Sequence, residues 1–120
     1  MGLCIEVVEA VRDVESWGSS YRGFNDVRRE VARAAGYDLD AFLGYGGSTP
    51  YSSLDGAARW LAPLLSHSDC TGYLASNECR EVAGAIRHYR ANVAEGFAEI
   101  VDDLLRVLDQ GAERCGVHFH

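Results

Sequence analysis

The chain has 120 residues, 48% of them apolar and 24% charged, with 18 acidic residues against 11 basic ones and a formal charge of −7. Length and apolar content fit a single cored domain spanning residues 1–120 and exclude global disorder, since a domain of about this size buries roughly two-thirds of the surface its unfolded chain exposes. The negative charge opposes phosphate-rich polymers and anionic lipid, and no apolar run approaches the roughly 20 residues of a membrane span, so neither nucleic acid nor membrane is an expected partner.

The amino-terminal stretch 1–12 carries acidic residues where a signal peptide has basic ones, and Glu6 stands where a myristoylation signal has Ser or Thr. A cytoplasmic location is expected, and with it free thiols at Cys4, Cys70, Cys79 and Cys115. Leu3, Cys4, Ile5 and Glu6 are β-prone, as are Val117, His118, Phe119 and His120, so the two ends are predicted to pair as a minor two-stranded ribbon. Residues 16–23, rich in Gly, Ser and Tyr, read as irregular.

From Phe24 the apolar positions Val27, Val31, Ala34 and Ala35 recur at helical spacing, with Arg28, Arg29, Glu30 and Arg33 on the other side. A helix over 24–35 is predicted, with Asn25 and Asp26 as capping candidates and Gly36 ending it. After a glycine- and tyrosine-rich turn at 44–53, Leu54, Ala58, Leu61 and Leu65 repeat the pattern behind Ser53 as cap. Pro63 either kinks this second helix or delays its start, because proline lacks a donor and clashes with the preceding turn.

A third periodic stretch runs from Ser76 through Val82, Ile86, Phe97, Ile100, Leu104 and Leu108. Asn92 and Glu95 have the spacing of a capping box, which divides the stretch near 89–92 into two helices, the second closed by Gly116. The expected fold is mainly α, a compact bundle of about four helices with the terminal ribbon.

Between helical patterns lie residues 67–78, which can be laid on the twelve-position calcium loop. Asp69 falls at position 3, Thr71 at 5, Gly72 at the sharp turn of 6, Tyr73 at the carbonyl of 7, Leu74 at the apolar 8 and Glu78 at 12. A hard cation needs six or more oxygens, and this EF-hand-like helix-loop-helix supplies most of the positions. His67 at position 1 offers nitrogen in place of a carboxylate, which points to weak calcium binding or to a metal that accepts imidazole. The competing zinc set is His67, Cys70 and Cys79, with His88 about 13 Å farther along the helix as a poor fourth ligand. The purely structural alternative has Asp69 and Thr71 bonding to nearby backbone, Gly72 supplying a positive φ and Glu78 sitting in the first turn of a helix capped by Ser76.

The run Tyr21-Arg22-Gly23-Phe24, the segment Leu39-Asp40-Ala41-Phe42-Leu43-Gly44-Tyr45-Gly46-Gly47, and Leu64-Leu65-Ser66-His67-Ser68-Asp69-Cys70 through Glu78-Cys79 together resemble a family of small uncharacterised proteins from actinobacteria, other bacteria and their phages. The resemblance covers most of the chain, and its most distinctive mark is the His-Ser-Asp-Cys-x-Gly to Glu-Cys loop. Relatives usually carry aspartate where this chain has Thr71, which removes another anionic oxygen. The resemblance marks the loop as a signature and implies no activity.

Other chemistry is thinly represented. Cys70 and His67 form the one local nucleophile and base pair, without a third orienting group or an oxyanion motif, so catalysis is not expected. Residues 44–48 lack the Lys-Ser/Thr ending of a phosphate loop. His118 and His120 would share one face of a terminal strand. Glycine-flanked tyrosines suit recognition surfaces, and Tyr21, Tyr45 and Tyr51 are the candidate contact residues, although they can equally pack loops onto helices. The expected role is regulatory or inhibitory binding to another protein, one with a basic surface. A module responsive to weakly bound Ca or Zn is the alternative, and a Cys/His-dependent enzyme the second alternative.

Overall fold

The structure is a computed structural model that describes residues 2–7, 16–67 and 72–119, by backbone alone at residues 2, 6, 7, 16, 17 and 19–22. It is mainly helical, as the periodicity predicts, with a small sheet at one side. The order is β1 (Gly2–Val7), β2 (Ser16–Ser20), α1 (Tyr21–Ala34), α2 (Ala62–Leu65), β3 (Gly72–Leu74), α3 (Ser76–Tyr89), α4 (Glu95–Glu113) and β4 (Val117–Phe119). Short 3-10 segments lie at Leu39–Ala41, Tyr51–Ser53, Gly56–Leu61 and Arg90–Asn92.

The ends of the chain pair as expected, Ile5 opposite Phe119 and Val7 opposite Val117. The ribbon is wider than the predicted pair, however, because β2 and β3 add to its two edges to give the antiparallel order β2-β1-β4-β3. The strand at 16–20 is poor in β-formers, and its register against β1, Leu3 opposite Ser19 and Ile5 opposite Trp17, supplies what local propensity does not. Alternation then sorts the side chains: Leu3, Ile5, Leu74, Val117 and Phe119 are buried against the helices, whereas Tyr73 and His118 occupy alternate positions.

α1 begins three residues before the predicted start, so Asn25 and Asp26 lie inside it rather than capping it. It ends at Ala34, where the chain turns at Gly36 and the Tyr37 N–H returns to the Ala32 carbonyl at 2.9 Å. The second predicted helix is a 3-10 segment over Gly56–Leu61 followed by one α turn, with Pro63 near its start where a missing donor costs nothing. Ser53 does not cap it; its hydroxyl donates to the Pro50 carbonyl at 2.8 Å. Ala58, Leu61, Leu64 and Leu65 are nevertheless buried, so the apolar pattern marks the right face of a different backbone.

α3 and α4 are separate helices, broken at Arg90–Asn92 as the spacing predicts. Arg80 donates to the Ala112 carbonyl, Arg87 pairs with Asp109 and Arg90 with Asp102, a descending order that marks antiparallel packing. The Asn92–Glu95 capping box does not form. Ala94 is the cap residue, its N–H is taken at 2.7 Å by the Glu30 carboxylate from α1, and Asn92 donates instead to the Ala34 carbonyl. Gly116 closes the turn after α4 at φ 94°, its N–H bonded to the Gly111 carbonyl at 2.9 Å; a Cβ there would lie 2.1 Å from the Leu74 carbonyl oxygen, so glycine is required on two counts.

Candidate functional site: the anchored segment 67–78

The last carbonyls of a helix have no partner within it, and those at the end of α2 point toward α1 and the 44–53 turn. Arg28 meets them: Nη1 donates to the His67 carbonyl at 2.6 Å and, more distantly, to that of Leu64 at 3.4 Å, while Nη2 donates to Asn25 Oδ1. The guanidinium is buried, with the Phe24 ring centroid 4.2 Å and the Tyr45 ring centroid 5.3 Å from its central carbon. The described partners of this charge are neutral oxygens and ring faces, and a cation complements a helix carboxyl end. The Tyr45 hydroxyl donates to the intervening Leu65 carbonyl at 2.8 Å, and Tyr51 donates to that of Leu43 at 2.6 Å.

His67 closes the base of the segment. Its Nε2 lies 3.0 Å from the Tyr73 carbonyl oxygen, which as a pure acceptor places the proton on that nitrogen. The ring stacks on Phe119 with centroids 3.9 Å apart. Gly72, at φ 110°, gives this ring its room, since a Cβ there would come within 3.2 Å of it. At the other end the Glu78 carboxylate accepts the Ala75 N–H at 3.0 Å. That is the return half of a capping box; the cap residue is Ala75, not Ser76, and alanine has no acceptor for the other half. Cys79 then faces the core, its Sγ 3.7 Å from the Leu74 carbonyl, and burial pushes its thiol up to about 12.

Of the calcium-loop positions, His67, Tyr73 and Glu78 are described, whereas Asp69, Cys70 and Thr71 lie outside the described residues. The Tyr73 carbonyl is engaged by His67 and the Glu78 carboxylate by the backbone of its own helix start. Cys79, from the zinc set, is a buried thiol whose deprotonation is opposed. Among the described residues no three His, Cys, Asp or Glu side chains come together in a group able to hold a metal ion. His118 stacks on Tyr73, and His120 lies outside the described residues.

The candidate contact tyrosines also separate. The Tyr21 side chain is outside the described set, while Tyr45 and Tyr51 are half-buried and tie the 44–53 turn down. Among the described residues the large exposed hydrophobic side chains are instead Tyr73 at 64%, Leu43 at 50% and Trp60 at 41%. Tyr73 is the notable one, since it stands directly across from His118 in the β3–β4 pair and the two rings lie flat on each other, 4.8 Å apart and 18° from parallel. Sequence reasoning treated Tyr73 only as a carbonyl. The signal that marks it is the alternation Gly72-Tyr73-Leu74, which puts Leu74 inward and Tyr73 outward once the segment is read as a strand. Comparison of the chain with family models, with curated proteins and with solved structures gives no match.

Proposed function

We propose that the protein is a cytoplasmic regulatory or inhibitory module that binds another protein through the face centred on Tyr73 and His118, and that its partner presents a basic surface. The observation that carries this reading is a large aromatic side chain, 64% exposed, held on a strand by a flat stack with its cross-strand neighbour. A ring already fixed in place loses little freedom on binding, and tyrosine is enriched among contact residues that dominate interface energy. The formal charge of −7 favours encounter with a positively charged partner.

A photo-reactive phenylalanine analogue placed at position 73, and in parallel at exposed Glu99 on α4, tests the reading in native lysate. Crosslinking of one discrete protein from position 73 and not from 99, weakened by added salt, is expected. Equal labelling from both positions, or none from 73, would contradict it.

A further inference from the structure

Beside the anchored base of the segment lies a cavity of about 430 Å³, opening between α1, the 44–53 turn and the end of α2. That volume is within the range of small-molecule sites. Its described lining residues include Arg28, Arg29, His67, Asn25, Leu43 and Tyr45, and no Asp or Glu is among them.

The donors are oriented by their other bonds. Asn25 gives its oxygen to Arg28, so its NH2 group is the part left to meet a ligand. Arg29 spends Nε on Asp40 at 2.9 Å and Nη1 on Asp26 at 3.5 Å, both on the side of a neighbouring hollow, and its Nη2 takes part in neither bond. The Tyr45 ring lies 5.3 Å from the Arg28 guanidinium carbon and 5.9 Å from that of Arg29, which adds an aromatic wall between the two. Leu43, half exposed, supplies an apolar rim.

We propose that this cavity is a binding site for a small organic oxyanion, a carboxylate or phosphate group attached to an apolar or aromatic body. The anionic head is received by Asn25 Nδ2 and Arg29 Nη2, and the body lies against Tyr45 and Leu43. Arg29 is suited to the head because it stays charged and its Nη2 can donate a charge-assisted hydrogen bond to a carboxylate or phosphate oxygen. The net charge of the molecule repels anions at long range, so recognition has to come from these local donors. This site is independent of the Tyr73 face and stands whether or not that face binds a protein.

Backbone amide NMR of the intact chain, titrated with phenyl phosphate, benzoate, inorganic phosphate and sodium chloride at matched ionic strength, is the test. Saturable shifts at Asn25, Gly44 and Ser66 are expected with phenyl phosphate or benzoate, tighter than with inorganic phosphate, and the stronger of the two identifies the head group. Arg29→Gln and Asn25→Ala should each weaken binding by about tenfold, the equivalent of 1.4 kcal/mol. Arg29→Gln leaves the buried contacts of α1 in place and should keep the melting temperature, whereas Asn25→Ala also removes an acceptor from buried Arg28, so Arg29→Gln at unchanged melting temperature is the deciding variant. No saturable shift with either organic anion, equal shifts with chloride, or unaltered binding in Arg29→Gln would overturn the proposal.

Discussion

His67 Nε2 sits 3.0 Å from the Tyr73 carbonyl oxygen, so a side chain from the end of α2 fastens the strand that leads into α3. Together with the stack on Phe119, this makes His67 a structural pin between α2 and the sheet. His67→Ala removes a hydrogen bond and a ring contact with buried Phe119 and should cost about 1–3 kcal/mol in urea unfolding. A variant as stable as the parent would show that the pin is idle.

The same bonds bear on metal binding. Glu78 serves the start of α3 and the Tyr73 carbonyl serves His67, so a cation at this segment has to compete with contacts the fold already makes. Calcium at 100 times its dissociation constant would add about 2.7 kcal/mol to a site formed only in the folded state. Melting curves in millimolar calcium, magnesium or zinc are expected to match those in chelator. A calcium-induced rise abolished by Glu78→Gln would reinstate the oxygen-ligand reading, and a zinc-induced rise abolished by Cys79→Ser the sulfur one.

Glu30 links α1 to the start of α4. Its carboxylate is bonded twice by Arg33 and once by the Ala94 N–H, and these partners, Arg33 foremost, hold it below the usual carboxylate range despite partial desolvation. A pKa lower in the folded than in the unfolded chain means that the contribution is complete above the unfolded value, about 4.3, and is lost as pH falls through the lower, folded value. Glu30→Gln should lower stability at neutral pH by about 1.5–3 kcal/mol and flatten the acid limb of the stability profile. An acid limb identical to the parent's would contradict this role.

Thiol chemistry should divide by depth. Cys115 is exposed and Cys79 is buried with its thiol at about 12. In native protein at neutral pH, a thiol reagent should modify Cys115 quickly and Cys79 only at the rate of unfolding. Fast labelling of Cys79 would mean that the α3–α4 contact opens readily.

Core changes should be felt strongly at the α3–α4–sheet junction. Leu104 is fully buried, and Leu104→Ala should cost about 2–5 kcal/mol. A Cβ at Gly111 would lie 2.7 Å from Val117 and 3.0 Å from Cys79 Sγ, so Gly111→Ala should destabilise by about 1–3 kcal/mol through overpacking, although alanine is the better helix former. Urea titration of both variants checks the pair; a stabilised Gly111→Ala would show that the junction is loosely packed.

Local periodicity carried much of this fold. Val27, Val31, Leu61, Leu65, Val82, Ile86 and Leu104 are buried where their spacing places them, and Phe97 and Ile100 are half-buried against the same core. What periodicity does not carry is polarity put to use inside. Arg28 and Glu30 read as the solvent side of α1, yet they are 3% and 7% exposed because their partners, at His67 and Ala94, lie far along the chain. The missed cap at Asn92 has the same cause, a distant carboxylate displacing a local motif. Tyr73 was hidden by the calcium template, which read three residues as loop where pairing with β4 makes them strand.

The most direct measurement is the affinity of the protein crosslinked from position 73 for the parent chain and for Tyr73→Ala, at two salt concentrations. Tyr73 is exposed and outside the core, so the substitution should keep the fold and cost only the stack on His118, about 0.2–1 kcal/mol. Loss of more than about tenfold in affinity, with binding to the parent weakened by salt, is the predicted result. Undiminished affinity in Tyr73→Ala, with the fold intact, would contradict the assignment of this face as the contact surface.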